Sequence, residues 1–160
     1  MAPEPEFKPD PTIGPLLTDA MICEKVLEEK DGVKSAIRII DQVNRTAVAP
    51  SPSQTMEPFD YPLSLLLRFK AGAARGTYKI DVRIVRPSNE TAGTMSHPIH
   101  FPGPDDAGTD VVVNIMMRID EAGTWWFEIS VNDNRWMRIP LRVVYLPQQI
   151  KLPGASGAQS

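Results

Sequence analysis

Apolar and polar residues alternate with a period of two along most of this chain, the pattern of half-buried β-strands. The plainest instance runs from Thr109 to Leu146. Val113, Ile115, Met117 and Ile119 fall on one face of a first run, and Val112, Asn114, Met116 and Arg118 on the other. In the next run Trp125, Phe127, Ile129 and Val131 share a face, with Trp126, Glu128 and Ser130 opposite. Asn132-Asp-Asn divides it from a third run, Arg135 to Leu146. Each buried large apolar side chain stabilises by roughly 1.5–3 kcal/mol. A one-residue slip would bury Glu128 and expose Phe127, so the pattern pins the pairing.

The same period predicts the elements before it. Ala20 to Lys30 and Val33 to Val43 flank Asp31-Gly32, a hairpin signal because Gly accepts the positive φ of a tight turn. Met21 to Lys30 also scores as a helix, and the hairpin context favours the strand. Leu63 to Lys70, a turn at Ala71 to Gly76, and Thr77 to Arg86 form a second pair, with Tyr78, Ile80, Val82 and Ile84 facing in. Ser96 to Phe101 reads as a short edge strand, because Pro98 removes a ladder donor. Three stretches lie outside this pattern. Residues 1–19 form a Pro-rich arm, either loose or packed on a neighbouring subunit. Thr46 to Tyr61 is a long loop, and 147–160 is a Gly- and Pro-bearing tail. The predicted domain therefore spans residues 20–146. Gly76-Thr-Tyr and Gly123-Thr-Trp echo one another, each followed by an apolar residue at every second position. The echo predicts two strands that enter the fold in the same way.

Composition narrows the function classes. A length of 160 residues suits one domain. The formal net charge is −3, with both signs interspersed, which disfavours nucleic acid as a partner. The apolar runs fall far short of the ~20 residues of a membrane helix, so no membrane contact is expected. The N-terminus has neither the basic start nor the apolar core of a signal peptide. A cytoplasmic protein is the expectation, or one exported by a route that leaves no N-terminal mark. One cysteine, Cys23, excludes an intrachain disulfide.

Glu121-Ala-Gly-Thr-Trp125 resembles the acid-x-Gly-x-aromatic corner that precedes a late strand of immunoglobulin-like sandwiches, where Tyr is usual. That resemblance implies an all-β, immunoglobulin-like antiparallel β-sandwich of seven to eight strands. The corner's phenolic hydrogen bond would be lost, or replaced by the indole N–H of Trp125. The Cys…Trp…Cys pattern of antibody domains is absent. Cys23-x-x-Val26, Asp31-Gly-x-x-Ser-x-Ile-Arg38 and Gly123…Pro140-Leu-x-Val143 are similar to an uncharacterised bacterial family of small all-β proteins. That resemblance spans Ala20 to Leu146 and implies a fold without an activity. Two readings of Glu121–Gly123 are open. As a corner it sends the flanking strands to opposite sheets. As a hairpin loop it sets Arg118 across from Trp126, a cation–π pair.

No nucleophile–base pair, Gly-rich phosphate loop or nucleophile elbow is present. No enzyme, metal or cofactor is therefore expected. His97-Pro-Ile-His100 has no further histidine to complete a site, and Asp105-Asp-Ala-Gly-Thr-Asp110 lacks the spacing of a calcium loop. Cys23 lies in an apolar run and reads as a buried, inert thiol. What stands out is apolar side chains on nominally outer faces: Leu66, Val112, Met116, Trp126 and Trp136, with Arg118 beside them. Leu66, Met116, Arg118, Trp126 and Trp136 form the predicted interaction surface. The expected function is a non-catalytic β-sandwich module acting on a protein partner or by self-assembly into a homo-oligomer. The alternative is a small-molecule or carbohydrate-binding sandwich, with tryptophans as stacking platform and a cation held by the Asp105–Asp110 loop.

Overall fold

The computed structural model describes residues 14–46 and 56–146, the side chains of Arg135 and Trp136 excepted. All its elements are strands: β1 (Leu16–Glu28), β2 (Lys34–Ile39), β3 (Gln42–Thr46), β4 (Phe59–Lys70), β5 (Gly76–Val85), β6 (Thr91–Phe101), β7 (Gly108–Ile119), β8 (Gly123–Val131) and β9 (Asn134–Leu146). They form two sheets, a four-stranded one of order β2-β1-β4-β7 and a five-stranded one of order β3-β9-β8-β5-β6. Every pairing is antiparallel except β3 with β9, which is parallel.

The alternation read from the sequence sets which face is buried. Val113, Ile115, Met117 and Ile119 meet Trp125, Phe127 and Ile129 in the core between the sheets, with Leu65, Leu67, Ile80 and Val82. Trp125 and Phe127 are wholly buried. Asp31-Gly32 turns β1 into β2, with Gly32 at φ 82° and Glu28 paired to Lys34. The echoed glycines do the same work in two places: β5 starts on Gly76 at φ 88° and β8 on Gly123 at φ 125°. Side chains other than Gly rarely adopt that backbone. β5 and β8 then pair with each other.

The strand count and several boundaries differ from the sequence reading. Among the described residues there are nine strands rather than seven or eight. The run Val33–Val43 is not one strand. It pairs with β1 as far as Ile39, then crosses at Ile40–Asp41 and continues as β3 in the other sheet. Arg38, at φ 53°, breaks the extended geometry just before the crossing. β1 starts at Leu16, inside the stretch assigned to the Pro-rich arm, because β4 offers Lys70 and Phe69 as partners to Leu16 and Leu17. β4 starts at Phe59, inside the assigned loop. Pro62 is tolerated there because β1 reaches β4 only from Ser64 onwards. β6 is an edge strand, as Pro98 implies, but runs from Thr91. The remainder of the arm, the loop residues 47–55 and the tail lie outside the described residues. Among the described residues no helix is long and apolar enough to cross a membrane.

Candidate functional site

The corner between β7 and β8 shows how one short motif organises the sandwich. β7 belongs to the four-stranded sheet and β8 to the five-stranded one, so Glu121–Gly123 is a crossing and not a hairpin loop. The Trp125 indole N–H donates to the Glu121 carbonyl at 3.0 Å. Glu121 accepts from the backbone N–H and the hydroxyl of Ser88, at 3.0 and 2.9 Å. Arg86 pairs with Asp120 at 3.1 Å and lies 5.8 Å above the Trp125 ring. The corner is thus fastened to the β5–β6 turn.

The predicted surface residues do not form one patch. Met116 and Arg118 lie on the outer face of the four-stranded sheet, on β7. Met116 is 67% exposed, and Arg118 donates to Asp60 opposite it on β4, at 3.1 Å. Trp126 lies on the outer face of the other sheet, half-buried, with the Arg138 guanidinium 4.1 Å from its ring centroid. Its cation partner is therefore Arg138 on β9 and not Arg118. The side chain of Trp136 is outside the described residues. Leu66 needs correction: it points outward from β4 yet is only 4% exposed. A cavity of about 470 Å³ lies between Met21, Leu66, Arg68 and Asp110 on the sheet and Val33, Lys34, Ala36 and Ile39 of the β1–β2 hairpin. Lys34 reaches Asp110 at 3.8 Å. The hairpin therefore folds over the outer face of its own sheet and covers Leu66. No local pattern in the sequence carries that signal, because the alternation gives the face and not what lies above it.

What the sequence reading missed is the hairpin's own exposed surface. Leu27, Val33, Ile37 and Ile39 are exposed, Ile39 at 61%. Lys25 pairs with Ile37 and Leu27 with Ser35, so Leu27 and Ile37 share the face opposite Val26 and Ala36. Among the described residues β2 has a neighbour on one side only. An edge strand presents unpaired backbone N–H and C=O groups. The available signal was the run Val33-Lys-Ser-Ala-Ile-Arg-Ile, apolar at positions that a single hairpin cannot bury on both faces.

Glu128 also departs from expectation. It lies on the outer face of β8 but is 5% exposed. Its direct cross-strand partners are Arg83 on β5 and Arg138 on β9. The Arg83 Nε–H donates to it at 2.7 Å, and Arg138 pairs at 3.4 Å. The two long side chains cover the carboxylate. Nearby, Asp81 accepts from the Ser96 hydroxyl, a bond that holds its carboxyl below the ordinary range, helped by Lys79 at 3.0 Å. Asp81 and Asp133, which accepts from Lys79 at 3.1 Å, hold the Lys79 ammonium above its usual value, the hydrogen bond it donates to Asp81 first among the causes. A polar groove of about 560 Å³ runs over this ionic ladder, between Lys79, Asp81, Arg83, Glu128 and Asp133.

The suspected metal ligands are dispersed. His97 and His100, three apart on β6, point to opposite faces. The His100 ring Nδ1 is 3.2 Å from the Thr77 hydroxyl. Asp105 pairs with Arg75, and Asp110 with Arg68 and Lys34. Among the described residues no three His, Cys, Asp or Glu side chains converge. Cys23 is wholly buried, and burial pushes its thiol up, opposed by backbone hydrogen bonds at Lys25 and Ile37.

The described residues form a two-sheet, all-β protein with four exposed apolar side chains, Leu27, Val33, Ile37 and Ile39, on an edge hairpin and others, Met116 among them, elsewhere. A family of unknown function (DUF6941) matches residues 18–144, and the chain belongs to that family. No curated protein matches it.

Proposed function

We propose that the chain is a non-catalytic, immunoglobulin-like β-sandwich module that acts by protein–protein contact, with self-assembly as its simplest form. The observation that carries this reading is the hairpin: Leu27, Val33, Ile37 and Ile39 exposed around an edge strand. Clustered apolar groups beside unpaired backbone favour burial against another chain. The immunoglobulin-like assignment draws support from the pairing of β4 with β7, from the order β9-β8-β5, from the parallel β3–β9 pair and from the Trp125 corner bond. A bacterial cytoplasm is the proposed setting, in keeping with a single buried free thiol.

The test is site-specific photo-cross-linking from position 37 in the full chain, with position 142 on the outer face of β9 as control. A discrete covalent dimer from position 37 alone is the expected result. Only monomer from both positions would overturn self-assembly through the hairpin. The second reading, a small-molecule or carbohydrate site, rests on the polar groove over Lys79, Asp81, Arg83 and Glu128, with Trp126 two residues before Glu128 on β8 as the stacking platform. Arg138 already covers one face of that ring, which weighs against sugar stacking. A thermal shift with sugars or divalent cations would favour it, and none would count against it.

A further inference from the structure

We propose that the cavity beneath the β1–β2 hairpin is a binding site for a small amphipathic anion, an aliphatic carboxylate. This stands apart from contact through Leu27 and Ile37, neither of which lines the cavity. Three observations carry it. First, the space is enclosed by a flap. β1 pairs with β4 as far as Cys23 and with β2 from Cys23 onwards. The hairpin is therefore joined to the sheet along one strand and laid over its outer face. The space left under it, about 470 Å³, falls within the ~300–1,000 Å³ usual for small-molecule pockets.

Second, the lining is divided between an apolar end and a charged end. Met21 pairs with Leu66 in one cross-strand row of the floor. Arg68, two residues along β4, pairs with Asp110 in the next row. Such rows are about 7 Å apart. The flap repeats the division. Ile39, opposite Cys23, lies at its base, and Lys34, opposite Glu28, at its tip, where it reaches Asp110. Ala36 lines the cavity between them, and of the apolar lining only Val33 lies at the charged end. An aliphatic chain over Met21 and Leu66 also removes exposed surface of Ile39 from water.

Third, the charged end has spare donors. Its lining sets Lys34 and Arg68 against Asp110, an excess of one positive charge. The Lys34 side chain is only 18% exposed, yet its ammonium meets Glu28 and Asp110 at 3.8 Å, longer than a hydrogen bond. Arg68 gives its Nε–H to Asp110 at 3.0 Å, one of the five N–H donors of a guanidinium. A carboxylate set between Lys34 and Arg68 accepts from both, and its single charge matches the excess. Glu28 is exposed and outside the lining, so solvent screens it.

The experiment titrates the full chain, ¹³C-methyl-labelled at methionine, with sodium octanoate and with 1-octanol. Met21 lines the cavity, whereas Met116 lies outside it on β7 and Met137 on the other sheet. Octanoate is expected to shift the Met21 methyl signal saturably and to leave Met116 and Met137 in place. 1-Octanol is expected to bind about tenfold more weakly or worse, and Lys34→Met to weaken octanoate by a similar factor, since each removes a charge-assisted hydrogen bond. Ala36→Phe, which fills the cavity from the flap, is expected to abolish the shift. Lys34→Met, on a side chain that reaches solvent, keeps the test independent of whether Ala36→Phe folds. No saturable change at Met21 would overturn the proposal. Equal shifts at Met116, or equal binding of octanol and octanoate, would also overturn it, by reducing the uptake to apolar adsorption. Tighter binding of octyl phosphate than of octanoate would overturn the assignment of a singly charged head.

Discussion

Glu128 shows how a single residue can belong to the outer face and still be buried. Its position on β8 sends it outward, and two arginines directly across the ladder close over it. A buried carboxylate held this way is stabilised only while its partners remain. Replacing Arg83 with Met leaves the charge with Arg138 and weakens its satisfaction. The expected cost is about 1–3 kcal/mol by chemical denaturation, with Glu128→Gln costing less because the charges left behind, on Arg83 and Arg138, are exposed to solvent and not buried. Asp81 gives a second residue-scale test. Its folded carboxyl lies below the ordinary range, so its stabilisation is complete above an unfolded value of about 3.9. It is lost as pH falls through the lower folded value. Carboxyl NMR titration should show Ser96→Ala raising the Asp81 midpoint, because the Ser96 hydroxyl is the largest cause of the shift. Lys79 behaves oppositely: its contribution is present below the unfolded value and fades as pH rises through the raised folded one.

At the scale of elements, the legible part of the fold was whatever depends on one strand and its two faces. The inward rows of β5, β7 and β8 follow from alternation alone, as does the Asp31-Gly32 turn. The corner was legible from Glu121, Gly123 and Trp125, because its backbone geometry and its indole bond are local. Three features were not legible, and all depend on a second element. The β2–β3 break depends on β9 offering a parallel partner in the other sheet. The early start of β1 depends on the end of β4. The burial of Leu66 depends on the hairpin folding back over the sheet. For the same reason the proposed surface moved from Leu66 and Trp126 to Leu27 and Ile37. The corner supplies the element-scale prediction. Gly123 sits at φ 125°, and a Cβ there would come within 3.0 Å of Pro87. Gly123→Ala should therefore destabilise by more than about 1 kcal/mol. Gly76→Ala, at φ 88° with open space around it, carries only the backbone strain and should cost less. Equal losses from thermal melts of the two variants would contradict the Pro87 contact.

At the scale of the whole molecule, the core is satisfied within the chain. Among the described residues no buried side-chain nitrogen or oxygen lacks a hydrogen-bond partner. What is unsatisfied is at the rim, where β2 exposes backbone and apolar groups together. Leu27 and Ile37 lie outside the buried core cluster and are 37% and 39% exposed. Charged residues there should leave thermal stability within about 0.5 kcal/mol, the usual range for surface changes. The same substitutions should remove assembly. The most direct measurement is sedimentation equilibrium of the full chain beside Leu27→Lys with Ile37→Lys. A concentration-dependent dimer that the paired substitution converts to a stable monomer is the expected result. A wild-type monomer at every concentration, or a dimer indifferent to both lysines, would contradict contact through the hairpin.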